Sequence, residues 1–189
     1  MPLPGKSWYH LVLHTHGSWL HGDPRGFRTR KHRIHSSGDY KNPPPRGEHA
    51  KLHAYQQQRS STAVHIPHAL HATVGKAILG KANKLQHRSA ALSVGPTHAH
   101  LLIELPADYE AAKRITGQLK QAASHAVRDT LPGKVWAAGG KPIEVNDASH
   151  HRRVYVYILR HHTEGDWTWS IKPHPNAVVW GEELKPGGG

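Results

Sequence analysis

His87-Arg88-Ser89-Ala90-Ala91-Leu92-Ser93-Val94-Gly95-Pro96-Thr97-His98-Ala99-His100-Leu101-Leu102-Ile103-Glu104-Leu105 is the stretch that decides the fold of this chain. Two mainly apolar runs, His87 to Val94 and His98 to Leu105, flank the turn dipeptide Gly95-Pro96, so the stretch reads as a β-hairpin. Side chains at i and i+2 share one face of a strand. In the second run Ala99, Leu101 and Ile103 therefore form an apolar face suited to a core. His98 and His100 stand on the opposite face, where two imidazoles can serve one metal ion. In a chain with 20 histidines a lone His-x-His also fits a strand with two outward polar residues, so the weight falls on what lies elsewhere.

Outward from the hairpin, the periodicity changes to that of helices. Before it, Pro67 to Gln86 carries Leu70, Val74, Ala77, Ile78 and Leu85 on one side, with Pro67 in the first turn, where proline is tolerated. After it, Asp108 to Leu131 repeats Ala112, Ile115, Leu119, Ala122 and Ala126 at helical spacing and stops at Leu131-Pro132-Gly133, while Lys113, Lys120 and Arg128 mark its polar side. Trp8 to Leu20 suits a first strand, stopped by Gly22-Asp23-Pro24, and Glu48 to Gln58 a short helix. Ile143 to Val145 reads as a short strand beyond Gly139-Gly140 and Pro142. Asn146 or Asp147 can then cap a helix running to about His162, with Gly165 as its stop. The order β, helix, β-hairpin, helix, β, helix predicts a mixed α+β fold in which helices cover an antiparallel sheet.

At 189 residues, the length suits one domain spanning 1–189. A basic loop is expected at about 21–46, where cations mix with Gly and with Pro43-Pro44-Pro45, and a flexible tail from about 183, ending in Pro186-Gly187-Gly188-Gly189. The stretch from Asp166 carries three tryptophans, so it can pack partly on the domain before the chain frays. Lys and Arg number 25 against 13 Asp and Glu, a formal net charge of +12 with histidine neutral, which points to a polyanionic partner, nucleic acid first. The absence of cysteine excludes disulfides and thiolate metal sites; any metal must be held by imidazole, carboxylate, amide or water. No apolar run approaches the roughly 18 residues of a membrane span, and Met1-Pro2-Leu3-Pro4-Gly5-Lys6 leads into no signal-peptide core, so a cytoplasmic location is expected.

The segment Val154-Tyr155-Val156-Tyr157-Ile158-Leu159-Arg160-His161 supplies what the histidine pair lacks. Residues four apart lie about 6 Å apart along a helix but about 13 Å along a strand. Only a helix lets Tyr157 and His161 serve one site, as nucleophile and third imidazole. Alternating valine and tyrosine would also suit a strand, but the length of the segment and the cap before it favour the helix. Together with His98 and His100 this set describes a metal-assisted nicking site for DNA.

These residues resemble the single-tyrosine HUH transposases, the insertion-sequence and REP-associated tyrosine transposases. Tyr9-His10-Leu11-Val12 looks like the opening strand of that family and Gly95-Pro96-Thr97-His98-Ala99-His100-Leu101-Leu102-Ile103 like its histidine strand. Gln118-Leu119-Lys120 with Ser124 looks like the helix that follows, and Val135-Trp136 followed by Tyr157-Ile158 like its closing segment. The similarity spans roughly residues 8 to 165. It implies the HUH endonuclease fold, a ferredoxin-like antiparallel sheet with helices, in a single transposase-type nuclease domain acting on single-stranded DNA, often a hairpin. It further implies Mg²⁺ or Mn²⁺ at His98, His100 and His161, with Tyr157 as the nucleophile that forms a 5′-phosphotyrosine link, and DNA transposition by strand transfer at the nucleoid. The family includes dimers, so a homodimer is compatible with it. Three features depart from its usual pattern: Ala99 is small for the middle of the motif, the cationic segment is long, and Arg160-His161-His162 follows the tyrosine where REP-associated members commonly have Asn-Pro.

Other residues compete for these roles. His14-Thr15-His16 is a rival His-x-His, His65, His68 and His71 recur every three residues, and Tyr155 is the alternative nucleophile, turned about 160° from Tyr157 on a helix. For DNA the expected contacts are Arg25, Arg28, Arg30 and Arg33 in the loop and Arg152, Arg153 and Arg160 around the tyrosine. Two other function classes stay open: a domesticated, non-catalytic DNA-binding protein of the same fold, and a histidine-metal hydrolase unrelated to DNA.

Overall fold

The computed structural model describes residues 1–24, 26–27, 35–37, 44–59 and 63–173, together with the backbone of 178–179. The elements run β1 (Lys6–His14), α1 (Ala50–Arg59), α2 (His68–Lys84), β2 (Ser89–Val94), β3 (His98–Pro106), α3 (Tyr109–Ala126), β4 (Ile143–Val145), α4 (Ala148–Arg160), a 3₁₀ turn (His161–Glu164), β5 (Trp167–Ser170) and β6 (Val178–Val179). The sheet has the order β4-β1-β3-β2-β5-β6. Every pairing is antiparallel except β5 with β6. Its first four strands, with α2 between β1 and β2 and α3 between β3 and β4, have the ferredoxin-like arrangement, so the α+β reading of the sequence agrees with the structure.

The period of two along β1 and β3 divides the molecule into layers. Tyr9, Leu11 and Leu13 with Ala99, Leu101, Ile103 and Leu105 face α2 and α3, where Val74, Ile78, Ile115 and Leu119 complete a buried core. The other face is covered by α4, whose Val154, Ile158 and Leu159 pack on Ala91, Leu102 and Val145. Asp108 caps α3 by accepting from the Ala111 amide at 2.7 Å, and Asp147 caps α4 by accepting from the His150 amide at 2.7 Å. Each supplies an oxygen to an amide that the helix leaves without a partner. At the other end of α2, Gln86 takes the left-handed conformation at φ 59°, and the amides of Gln86 and His87 donate back to Asn83 and Ala82, closing the helix before β2 begins.

Three elements differ from the sequence expectation. β1 ends at His14, well short of Leu20, because the chain turns through Gly17 at φ 76°, and only Thr15 continues with a bridge to Trp136. α3 ends at Ala126, after which Val127 leaves helical geometry (φ −120°). The segment after Asp166 is more than a packed tail: Trp167 to Ser170 is a strand, in register with Val94 to Ala91 of β2. Most of the expected basic loop and the tail from about 183 lie outside the described residues.

On the α4 face the buried Glu104 accepts two bonds from Arg88, one of them from Nε at 2.8 Å, and one from the Leu3 amide at 2.6 Å. The Arg88 hydrogen bonds hold the Glu104 carboxyl below the usual range, against burial, which pushes it up. A carboxyl depressed in the folded state stabilises the fold above its unfolded value, and that contribution is lost as pH falls through the folded value. Arg88→Met leaves the buried carboxylate without its counter-charge. The variant is expected to have a lower denaturation midpoint at neutral pH, with the gap to wild type closing in acid as Glu104 becomes protonated. A gap that stays constant from pH 7 to pH 3 in urea titrations would refute this account.

Candidate metal centre and tyrosine site

β3 carries His98 and His100 on the face toward α4, and the turn after α4 brings His161 to them. The coordinating nitrogens of these three residues lie within 4.8 Å of one another. α4 itself ends at Arg160, but His161 keeps helical geometry (φ −59°, ψ −18°), so the four-residue spacing from Tyr157 still places both rings on one side. Tyr157 and His161 meet edge to face at 4.9 Å between centroids, and Tyr157 stands at 5.2 Å from the His100 ring. His100 and His161 stack at 4.8 Å with an interplanar angle of 16°. His161 is buried, whereas Tyr157 remains 38% exposed, open to a substrate from solvent.

Each of the three imidazoles has its Nδ1 engaged by a neighbour. Thr97 Oγ1 lies 3.3 Å from that of His98, His10 Nε2 lies 3.0 Å from that of His100, and Glu164 Oε2 lies 3.0 Å from that of His161. Asp166 adds a second carboxylate 3.7 Å from the His161 Nδ1. The Nε2 of His161 is buried and has no hydrogen-bond partner among the described residues. A buried ring nitrogen without a partner, beside two more imidazoles and backed by carboxylates on the opposite nitrogen, is what a metal-binding histidine presents before the ion arrives. These residues fit a divalent ion.

Burial keeps His100 and His10 neutral. It pushes His100 down to about 2, with the neighbouring His98, His10, His161 and His14 adding to the shift, and His10 down to about 4, with His150 and His161 adding to it. Neutral imidazoles offer the lone pairs that metal binding requires. Tyr157 is shifted up by burial and by Glu164 while Arg160 pulls it down, so its hydroxyl is protonated at neutral pH. Asp166 is shifted up by burial, opposed mainly by His161. The approach of Asp166 depends on Gly95 in the turn before β3: a β-carbon there would overlap the Asp166 carboxylate.

The other sequence candidates are spread out. His14 lies 6.3 Å from the His98 ring at the end of β1, and His16 lies beyond the strand. His65 and His68 are exposed, and His71 is buried with Nε2 at 3.0 Å from the Ile66 carbonyl. Tyr155 turns from the cluster and shares a hydrogen bond with Ser170. Arg160 lies over the Tyr157 ring at 6.0 Å, and Arg153, which donates to Ser149 Oγ at 2.7 Å, is exposed on the same side of α4. Arg152 is exposed but turned roughly 140° from the tyrosine around the helix. Arg25, Arg28, Arg30 and Arg33 lie outside the described residues. Lys120, on the expected polar side of α3, donates to the Ala137 and Gly139 carbonyls and ties the helix to the segment before β4. Sequence reasoning assigned no site role to His10, Glu164 or Asp166. The alternation of Trp8, His10, Val12 and His14 could have flagged His10, but its meeting with His100 depends on strand pairing.

No family model matches the chain, and no curated protein matches it. Among solved structures, a REP-associated tyrosine transposase bound to a REP hairpin is similar at a TM-score of 0.46 and 13% identity, over 87% of this chain and 71% of that one. Among the described residues no helix is long and apolar enough to cross a membrane.

A donor set of three imidazoles favours first-row transition ions, which accept nitrogen ligands, over Mg²⁺. Mn²⁺ is expected to bind at one site per chain, more tightly than Mg²⁺. His100→Ala is expected to weaken binding at least about tenfold, followed by electron paramagnetic resonance of free Mn²⁺. Unchanged affinity in that variant would remove the cluster from consideration.

Proposed function

We propose that this protein is a metal-dependent endonuclease and strand transferase for single-stranded DNA, a transposase-type enzyme working through Tyr157. The observation that carries the reading is the convergence of Tyr157 with His98, His100 and His161 from elements far apart in the sequence, with the buried Nε2 of His161 lacking a hydrogen-bond partner among the described residues. A histidine-metal hydrolase would have no need of a half-exposed tyrosine against its cluster, and a domesticated DNA-binding protein would have no need of either.

In this reading, His98, His100 and His161 hold a divalent ion, Mg²⁺ or Mn²⁺. When bound, the ion polarises the scissile phosphate and stabilises charge that develops on its oxygens. Tyr157 Oη forms a bond to phosphorus as the bond from phosphorus to the 3′ oxygen breaks. The phenolic proton passes to solvent, and the departing oxygen takes a proton from solvent and leaves as a 3′-OH. The product is a 5′-phosphotyrosine link, which a second DNA 3′-OH reverses, giving strand transfer. Arg160 over the Tyr157 ring favours the ionised hydroxyl, opposing burial. The closeness of Tyr157 to the cluster of its own chain supports action in cis, in which a homodimer is not needed to complete the site. The whole chain, basic loop included, works as one nuclease domain in the cytoplasm, at the nucleoid. Its substrate is a DNA hairpin with a single-stranded flank, held by Arg25, Arg28, Arg30 and Arg33 and by Arg152, Arg153 and Arg160.

Two outcomes test this. With single-stranded hairpin DNA and Mn²⁺, wild type is expected to form a denaturation-resistant protein–DNA adduct. Tyr157→Phe should form none while still binding DNA. An adduct that survives this substitution assigns the nucleophile elsewhere; no adduct from wild type favours the non-catalytic binder or the unrelated hydrolase. DNA affinity should also fall steeply with salt, and Arg153→Ala should reduce the slope of log K against log[salt] by about 1; a flat dependence in fluorescence anisotropy contradicts the phosphate contacts.

A further inference from the structure

His10 lies on β1 opposite Leu102, and His100 on β3 opposite Val12, so the two histidines are diagonal neighbours on the face covered by α4. Their rings are 5.1 Å apart at the centroids, with His10 Nε2 3.0 Å from His100 Nδ1. The His10 ring also meets Tyr157 edge to face at 6.0 Å, so one side chain touches a member of the histidine cluster and the tyrosine together.

A hydrogen bond between two neutral imidazoles contains one proton, and its direction fixes the tautomer of both rings. If His10 Nε2 carries that proton, His100 accepts through Nδ1, and its own proton must sit on Nε2, leaving no lone pair for an ion. If His100 Nδ1 carries it, His10 accepts through Nε2 and the remaining nitrogen of His100 presents a lone pair. Only the second arrangement is compatible with metal binding at His100. We propose that His10 is a positioning residue: it accepts the Nδ1 proton of His100, holds that ring in the metal-binding tautomer, and so sets the affinity of the cluster for a divalent ion. This rests on the reading of His98, His100 and His161 as a metal site. It gives His10 the role that a carboxylate or carbonyl fills behind many metal-binding histidines, and that Glu164 fills here behind His161.

Mn²⁺ binding to the full chain tests it without any DNA. His10→Phe keeps a planar ring but cannot accept a hydrogen bond, and is expected to weaken Mn²⁺ binding by about 10- to 100-fold. His10→Gln, whose amide oxygen can accept, should recover most of that loss, a rescue that a purely space-filling role would not produce. Long-range ¹H–¹⁵N spectra of metal-free wild type, with the His100 signals assigned by their loss in His100→Ala, should show its proton on Nδ1. A His100 proton on Nε2 overturns the proposal, and this measurement depends on no His10 variant folding. Equal Mn²⁺ affinity in wild type and His10→Phe, with His100→Ala weakened, also overturns it while leaving the metal site standing. If His100→Ala too binds like wild type, the metal reading falls and the proposal falls with it.

Discussion

The antiparallel pairing of β1 with β3 fixes the geometry on which the rest depends. Lys6 to His14 runs in register against Pro106 to His98, so each residue of one strand has its face set by its partner in the other. One face is apolar in both strands and is buried by α2 and α3. The opposite face therefore carries a column of histidines, His10 and His14 from one strand and His98 and His100 from the other. A one-residue slip would turn the imidazoles into the core and the leucines outward. The cost of burying polar imidazoles without hydrogen-bond partners and the loss of apolar burial both oppose that slip. The core thus specifies the position of the histidines as well as the stability of the sheet.

Several parts were legible in the sequence because their signals are local. The hairpin around Gly95-Pro96, the periodic α3 and the three-residue β4 needed only turn chemistry and apolar spacing. The Tyr157–His161 spacing is meaningful only on a helix, and the cap at Asp147 supports that choice. The elements that escaped depend on partners distant in sequence. Trp167 to Ser170 is too short to announce a strand by alternation, and it is one because the edge of β2 is available to it. β1 stops at His14, ahead of the Gly17 turn, whereas the apolar pattern by itself runs further. In the site the same division holds: His98 and His100 stand out as a motif, while His10 and Asp166 acquire their positions through strand pairing and a close approach to the chain.

The electrostatics of the site run against those of the chain. A formal charge of +12 characterises the whole, yet the histidine cluster lies where burial and mutual repulsion hold His10 and His100 uncharged. Glu164 and Asp166 sit behind His161. The exposed arginines of α4 lie outside the two uncharged rings of His10 and His100, with Arg160 beside Tyr157. Positive charge is thus kept on the surface, where it is solvated at little cost, and lone pairs are kept inside.

Gly95 contributes to the centre through clearance. It has no side chain to offer a substrate, yet the Asp166 carboxylate occupies the space that any larger residue would need. The gap between the end of the α4 turn and the start of the histidine strand is therefore set by a missing methyl group. A substitution there would act on His161 at one remove, by displacing the acid behind it. The residues that define this centre thus include one that no survey of reactive groups would select, because its contribution is vacant volume.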